Sequence, residues 1–120
     1  MNNEDPIATN PAQYRVMWEN EFVRVLEYTD KPGVQTRPHQ HPNSVMVTLS
    51  AFDRRLSSGD RVVDVSLPAG KAVWLPAQRH SGHNIGTTPT HTIFIELKGE
   101  AAGQASETEV GPESDFSQQG

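Results

Sequence analysis

The sequence predicts an all-β domain, a sandwich or small barrel built from short strands. Three observations carry that prediction: β-branched and aromatic runs of five to eight residues, turn residues between those runs, and no stretch with a sustained helical period.

The elements follow in chain order. "NPAQYRVMWENE" (10–21) has room for one helical turn at most. "FVRVLEYT" (22–29) alternates Phe22, Arg24, Leu26 and Tyr28 against Val23, Val25 and Glu27, the period of a strand with two unlike faces. "SVMVTLS" (44–50) is a β-branched apolar run, and "RVVDVSL" (61–67) follows the turn signal Ser57-Ser58-Gly59-Asp60. "AVWLP" (72–76) is short and ends at Pro76, which cannot donate to a ladder. "HTIFIELK" (91–98) is the most apolar strand and is expected at the centre of a sheet. Further turn residues stand at Pro32-Gly33, Pro42-Asn43, Pro68-Ala69-Gly70 and Gly86-Thr87. Strands this short, punctuated in this way, suit a sandwich or barrel.

Residues 14–99 are expected to fold as one domain, with 1–13 a flexible leader and 100–120 a disordered acidic tail. The tail is small, polar and acidic, and buries too little apolar area to offset the entropy of ordering it. Val110 and Phe116 are its sizeable apolar residues, which leaves a docking role open.

Residues 1–99 hold ten acidic and ten basic side chains, so the formal charge of -5 falls on Glu100, Glu107, Glu109, Glu113 and Asp115. The body has no basic cluster, which argues against nucleic acid as a partner. No apolar run approaches the roughly 18 residues of a membrane span. The opening "MNNEDPIATNP" lacks the basic start and apolar run of a secretory signal, so a cytoplasmic protein is expected. Cysteine is absent, which excludes disulfides and thiolate metal ligands.

Chemistry concentrates in two segments, "TRPHQHPNSVMV" (36–47) and "LPAQRHSGHNIG" (75–86), which hold four of the five histidines. On a strand, His39 and His41 project from one face and can converge on one ion. Neutral imidazoles suit Fe, Zn, Mn, Ni or Cu. A third ligand must come from His80, His83 or His91. The alternative is an exposed strand edge for His39 and His41, and a turn-capping role for His80. Odd spacing turns His83 away from His80 unless Gly82 bends the chain, making it a candidate fourth ligand. His91 is expected to face solvent or a neighbour, and Asn84 to close a turn. Arg37 is a candidate to orient a substrate carboxylate, or else a surface arginine. Glu96 is a candidate general base. Met46, Trp74, Gln78 and Phe94 are candidates to line a pocket, with ordinary core packing as the alternative.

"Gly33-Val-Gln-Thr-Arg-Pro-His39-Gln-His41" reads G-x5-H-x-H, and Gly70 to Pro76 reads G-x5-P, followed by His80-x3-Asn84. These segments resemble the two motifs of the cupin superfamily, in the family's order. Over about residues 20–98 the chain looks most similar to small single-domain bacterial cupins associated with beta-alanine degradation, through the element P-A-Q-x-H-S-G-x-N-I-G. The resemblance implies an antiparallel jelly-roll β-barrel, often a homodimer, with a divalent transition metal held by His39, His41 and His80. It departs from the family at the glutamate that follows H-x-H, since residues 42–46 read Pro, Asn, Ser, Val, Met. The first motif's closing glycine is also missing, and in the second Gln78 stands at the glycine position with His80 one residue early. A neutral three-histidine set remains. The expected function is a metal-dependent dioxygenase, isomerase or lyase acting on a small polar or carboxylate metabolite. The alternatives are a non-catalytic barrel that binds or senses a small ligand, and a partner protein that docks through its tail.

Overall fold

The computed structural model describes residues 3–106 and 108–113. A four-residue helix, α1 (Pro6–Thr9), precedes nine strands: β1 (Tyr14–Glu19), β2 (Val23–Asp30), β3 (His39–His41), β4 (Ser44–Thr48), β5 (Phe52–Ser58), β6 (Arg61–Leu67), β7 (Ala72–Leu75), β8 (Gln78–Asn84) and β9 (Thr90–Leu97). They form a five-stranded sheet in the order β1-β2-β9-β4-β7 and a four-stranded sheet in the order β3-β8-β5-β6. Neighbouring strands pair antiparallel throughout, and β9 is central, as its apolar composition predicts. No helix among the described residues is long and apolar enough to cross a membrane.

Strict alternation along β9 explains its place. Thr90, Thr92, Phe94 and Glu96 are buried while the residues between them are half-exposed. The register sets Leu26 of β2 and Met46 of β4 on either side of Phe94, so one apolar row crosses three strands. Tyr14, Tyr28, Phe52 and Leu75 complete the core between the sheets.

A buried ion pair ties the two sheets together. Arg54 of β5 donates from Nη1 to Asp30 of β2 at 2.5 Å. Asp30 also accepts from the Tyr28 hydroxyl, from Asn84 Nδ2 at 2.9 Å and from Thr90 N at 3.2 Å. Burial pushes the Asp30 carboxyl up, but the Tyr28 hydrogen bond, the Arg54 charge and the Asn84 amide outweigh it and hold it below the usual carboxylate range. Arg54→Met should leave that charge without its cation and destabilise the fold by about 3 kcal/mol. Urea unfolding at neutral pH measures this, and a loss below about 0.5 kcal/mol would contradict it.

Four strands depart from the sequence expectation. The residues read as one helical turn instead form β1, an edge strand with a bulge between Val16 and Trp18 and only Tyr14 buried. β5 and β8 alternate as strands do, but polar residues hold several of their inward positions, so neither reads as apolar. β3 is three residues long.

The flanks also differ from the mobile ends expected of them. Asp5 caps α1 through Ile7 N, Pro6 starts it, and the side chain of Asn10 bonds both main-chain groups of Arg37. Glu4 pairs with Arg79 and Asp5 with Arg24. Beyond a short 3-10 turn at Gly99–Ala102, Ser106 N bonds Ala77 O, Gly111 bonds Gln78 and Glu113 N bonds Trp74 O. Main-chain hydrogen bonds to β7, β8 and the residues joining them thus fix a segment whose composition offers no core. Glu107, Asp115 and Phe116 lie outside the described residues.

Candidate metal centre

Pairing of β3 with β8 builds the site. The register sets His39 opposite His80 and His41 opposite Gln78, so alternate residues of two adjacent strands point into the barrel together. His39 and His41 are each 1 % exposed and His80 is 5 % exposed. Their ring centroids are 4.9, 4.9 and 5.1 Å apart, and one ligand nitrogen from each lies within 4.8 Å of the others.

The opposite edge of each ring is anchored. His39 Nδ1 donates to the Arg37 carbonyl at 2.6 Å, and Asn10 Nδ2 donates to the same oxygen at 3.1 Å. His41 Nδ1 donates to the Glu96 carboxylate at 3.2 Å, and Arg24 holds that carboxylate from its other side at 2.8 Å. His80 Nδ1 donates to Gln78 Oε1 at 2.6 Å. An oxygen acceptor at each Nδ1 fixes one tautomer, leaving all three Nε2 lone pairs facing inward. One hydroxyl serves them: Tyr14 Oη lies 3.2 Å from His39 Nε2 and 3.3 Å from His41 Nε2. The Tyr14 hydroxyl is thus shared between two of the three ligand nitrogens.

Burial sets the electrostatics. It drives His39 down to about 3, helped by the neighbouring His41 and opposed by the hydrogen bond to Arg37. It also drives His80 well below the ordinary imidazole range, with His41 and His39 adding to the effect. Burial raises Tyr14 well above the usual phenol range, so its proton stays in place at neutral pH. Buried, tautomerically fixed imidazoles are the donor set that a transition-metal ion takes. The chemistry of this donor set fits such an ion.

The remaining predicted residues separate clearly. Phe94 stacks on His41 at 4.9 Å and 14°, and Met46 lines the interior beside it. Gln78 does not line the cavity. Its Oε1 accepts from His80 and from Gly111 N, while its Nε2 donates to Pro76 O and Gly111 O. Gln78→Leu should therefore weaken zinc binding to the purified protein about 10- to 100-fold while the fold persists. Unchanged affinity in a competitive chelator titration would count against that role.

Four expectations are corrected. His83 is not a fourth ligand; it sits one residue out of phase with His80 on β8, on the outer face opposite Arg55. Arg37 is exposed, because Pro38 separates it from β3 and only its carbonyl reaches the site. Trp74 is 37 % exposed on the outer face of β7. Glu96 meets His41 at Nδ1, the edge away from the lone pairs, and so orients that ring instead of facing a ligand. His91 lies on the outside, bonded to Glu27 at 2.6 Å.

Sequence reasoning missed Tyr14, Asn10 and Arg54. Nothing marks Asn10, and Tyr14 was hidden in the segment read as helical. Arg54 carried a signal, since Phe52, Arg54 and Leu56 occupy alternate, inward positions. Beside the histidines lies a cavity of about 40 Å3, bounded by Tyr28, Met46, Phe52, Leu75, Phe94 and Arg54.

Solved structures share this architecture. A cupin domain from Bordetella pertussis Tohama I superposes with a TM-score of 0.67 at 27 % identity, covering 72 % of this chain and 92 % of that one. The fold is that of the cupins.

An RmlC-like cupin with a double-stranded β-helix fold from Methanocaldococcus jannaschii aligns with a TM-score of 0.57 at 14 % identity, over 70 % of this chain and 77 % of that one. A double-stranded β-helix protein from Klebsiella pneumoniae aligns with a TM-score of 0.55 at 21 % identity, over 73 % and 72 %. No family model matches the chain, and no curated protein matches it. The cupin barrel also gives the P-A-Q-x-H-S-G-x-N-I-G element physical content. Gln78, His80, Gly82 and Asn84 are the inward residues of β8: one anchors a histidine, one is that histidine, one makes room for Arg54, and one bonds Asp30.

Proposed function

We propose that this cupin binds one divalent transition-metal ion through His39, His41 and His80 and works as an enzyme on a small polar or carboxylate metabolite. The observation that carries the reading is the triple anchoring at Nδ1, which presents three buried Nε2 lone pairs to one shared point. When bound, such an ion supplies Lewis acidity, or dioxygen activation if it is redox-active. The chain's own residues then have defined tasks. Asn10, Glu96 and Gln78 keep the rings aimed, Phe94 and Met46 keep water out, and Tyr14 holds a proton within reach of the ligand face. The narrower resemblance, to cupins associated with beta-alanine degradation, rests on the Pro76–Gly86 element alone, and a homodimer rests on family likeness.

One observation favours a second reading, a barrel that binds or senses a ligand without turning it over. Glu96 is engaged by His41 and Arg24, so among the described residues no carboxylate faces the lone pairs as a general base. Titrating metal-free protein with Fe(II), Mn(II), Ni(II), Cu(II) and Zn(II) tests both. One tight ion per chain supports the metal reading and its identity separates redox from Lewis-acid chemistry, whereas no tight ion would sink it.

A further inference from the structure

We propose that the barrel interior carries a carboxylate subsite formed by Arg54 and Thr92, and that its ligand is a short aliphatic monocarboxylate of about two to four carbons. The inference rests on the barrel interior being the ligand chamber, but not on a metal being bound.

Arg54 is buried, yet its hydrogen bonds among the described residues leave from Nη1 alone, to Asp30 Oδ2 and to Thr90 Oγ1 at 3.1 Å. Its Nε and Nη2 protons meet no acceptor there, although a guanidinium offers a planar fork suited to a carboxylate. The Tyr28 ring covers the cation, 4.9 Å from Cζ to centroid. Gly82 makes room for the guanidinium itself, since any Cβ there would clash with Nη2. Asp30 does not exhaust the cation, because Tyr28, Asn84 and Thr90 N also donate to that carboxylate.

Thr92 is the independent observation. It is 1 % exposed, lines the same cavity, and its hydroxyl has no hydrogen-bond partner among the described residues. A buried unpaired hydroxyl is costly, and Val would fill the same volume without that penalty. Thr90 and Thr92 are consecutive inward residues of β9, so the guanidinium and the orphan hydroxyl flank one end of the chamber. His39 and His80 line the same cavity.

Size and polarity then select the ligand. A cavity of about 40 Å3 restricts the ligand to a short chain. Its sides are Met46, Phe52, Leu56, Leu75 and Phe94, which offer no partner to a second charged group. One charged end, a short apolar body and a head near the histidines describe a small monocarboxylate.

The test is calorimetric titration of acetate, propionate, butyrate, hexanoate and the neutral propionamide into metal-free and zinc-loaded protein, with metal content measured on the same samples. Propionate or butyrate should bind best, with propionamide and hexanoate each at least about tenfold weaker. Thr92→Val should weaken propionate binding about tenfold while its unfolding midpoint stays equal or rises. Arg54→Lys, which keeps the charge but loses the fork, should weaken it further. Binding that ignores Thr92→Val, equal binding of propionate and propionamide, or no carboxylate binding to either form overturns the subsite. Propionate binding without stoichiometric metal overturns the metal reading and leaves the subsite standing; metal without propionate binding does the reverse.

Discussion

His39→Ala and His80→Ala are each expected to abolish stoichiometric metal binding, and with it the stabilisation that metal confers on the wild-type protein. At a free ion concentration about 1,000 times the dissociation constant, that stabilisation is about 4 kcal/mol. Mass-spectrometric metal content of protein made without a histidine tag, paired with thermal melts with and without added zinc, reads both effects. The geometry predicts more than a loss of affinity: each ring is aimed by its own oxygen acceptor, so the two remaining histidines keep their positions and still fail to close a site. His83→Ala and His91→Ala should retain the metal, since both side chains lie on the outer surface. Equal metal in His39→Ala and wild type would refute the three-histidine centre.

The second large effect is acid sensitivity of the metal-free protein. The native state holds His39 unprotonated down to about pH 3 and drives His80 in the same direction, mainly by burial. Unfolded imidazoles take up protons near pH 6.5, so below that value the unfolded chain binds more protons than the native one. Stability is therefore intact above about 6.5 and declines as pH falls toward about 3. His39 contributes about 1.4 kcal/mol per pH unit, or about 2 kcal/mol by pH 5, and His80 acts in the same direction. Against a typical stability of about 5–15 kcal/mol, that is a substantial fraction of the total. Urea titrations in chelator at pH 7 and pH 5 measure the difference, and His39→Gln should make the slope shallower by removing that ring's share. A stability that stays flat over this range would mean the rings are hydrated in the native state.

What could be read from the sequence depended on which residues face inward. β2, β4 and β9 present apolar side chains to the core, and their period of two is plain in Leu26, Tyr28, Met46 and Phe94. β8 has an equally regular alternation, but its inward residues are Gln78, His80, Gly82 and Asn84, which read as a turn-rich loop. β5 is intermediate: Phe52 and Leu56 are apolar, and Arg54 between them breaks the pattern. Hydrophobic periodicity reports burial only where the buried surface is apolar. Inside this barrel, the polar inward positions are the site.

The tail teaches a related point. Its composition is poor in apolar side chains, yet main-chain groups of Ser106, Gly111 and Glu113 bond to Ala77, Gln78 and Trp74, and Pro112 lines the barrel cavity. Composition measures the apolar area a segment can bury and is silent on hydrogen bonds its backbone can make to strands elsewhere.

The sequence by itself determined the all-β class and the central place of β9, and the resemblance of its two motifs to those of the cupins implied His39, His41 and His80 as the three histidines that meet. Only the tertiary structure decided how those rings are oriented, that Tyr14 and not a glutamate approaches their lone pairs, and that Arg54, not Arg37, is the interior cation. The reason is physical. Local spacing fixes which face of a strand a residue occupies, whereas register between distant strands and the order of strands in each sheet fix what that face meets.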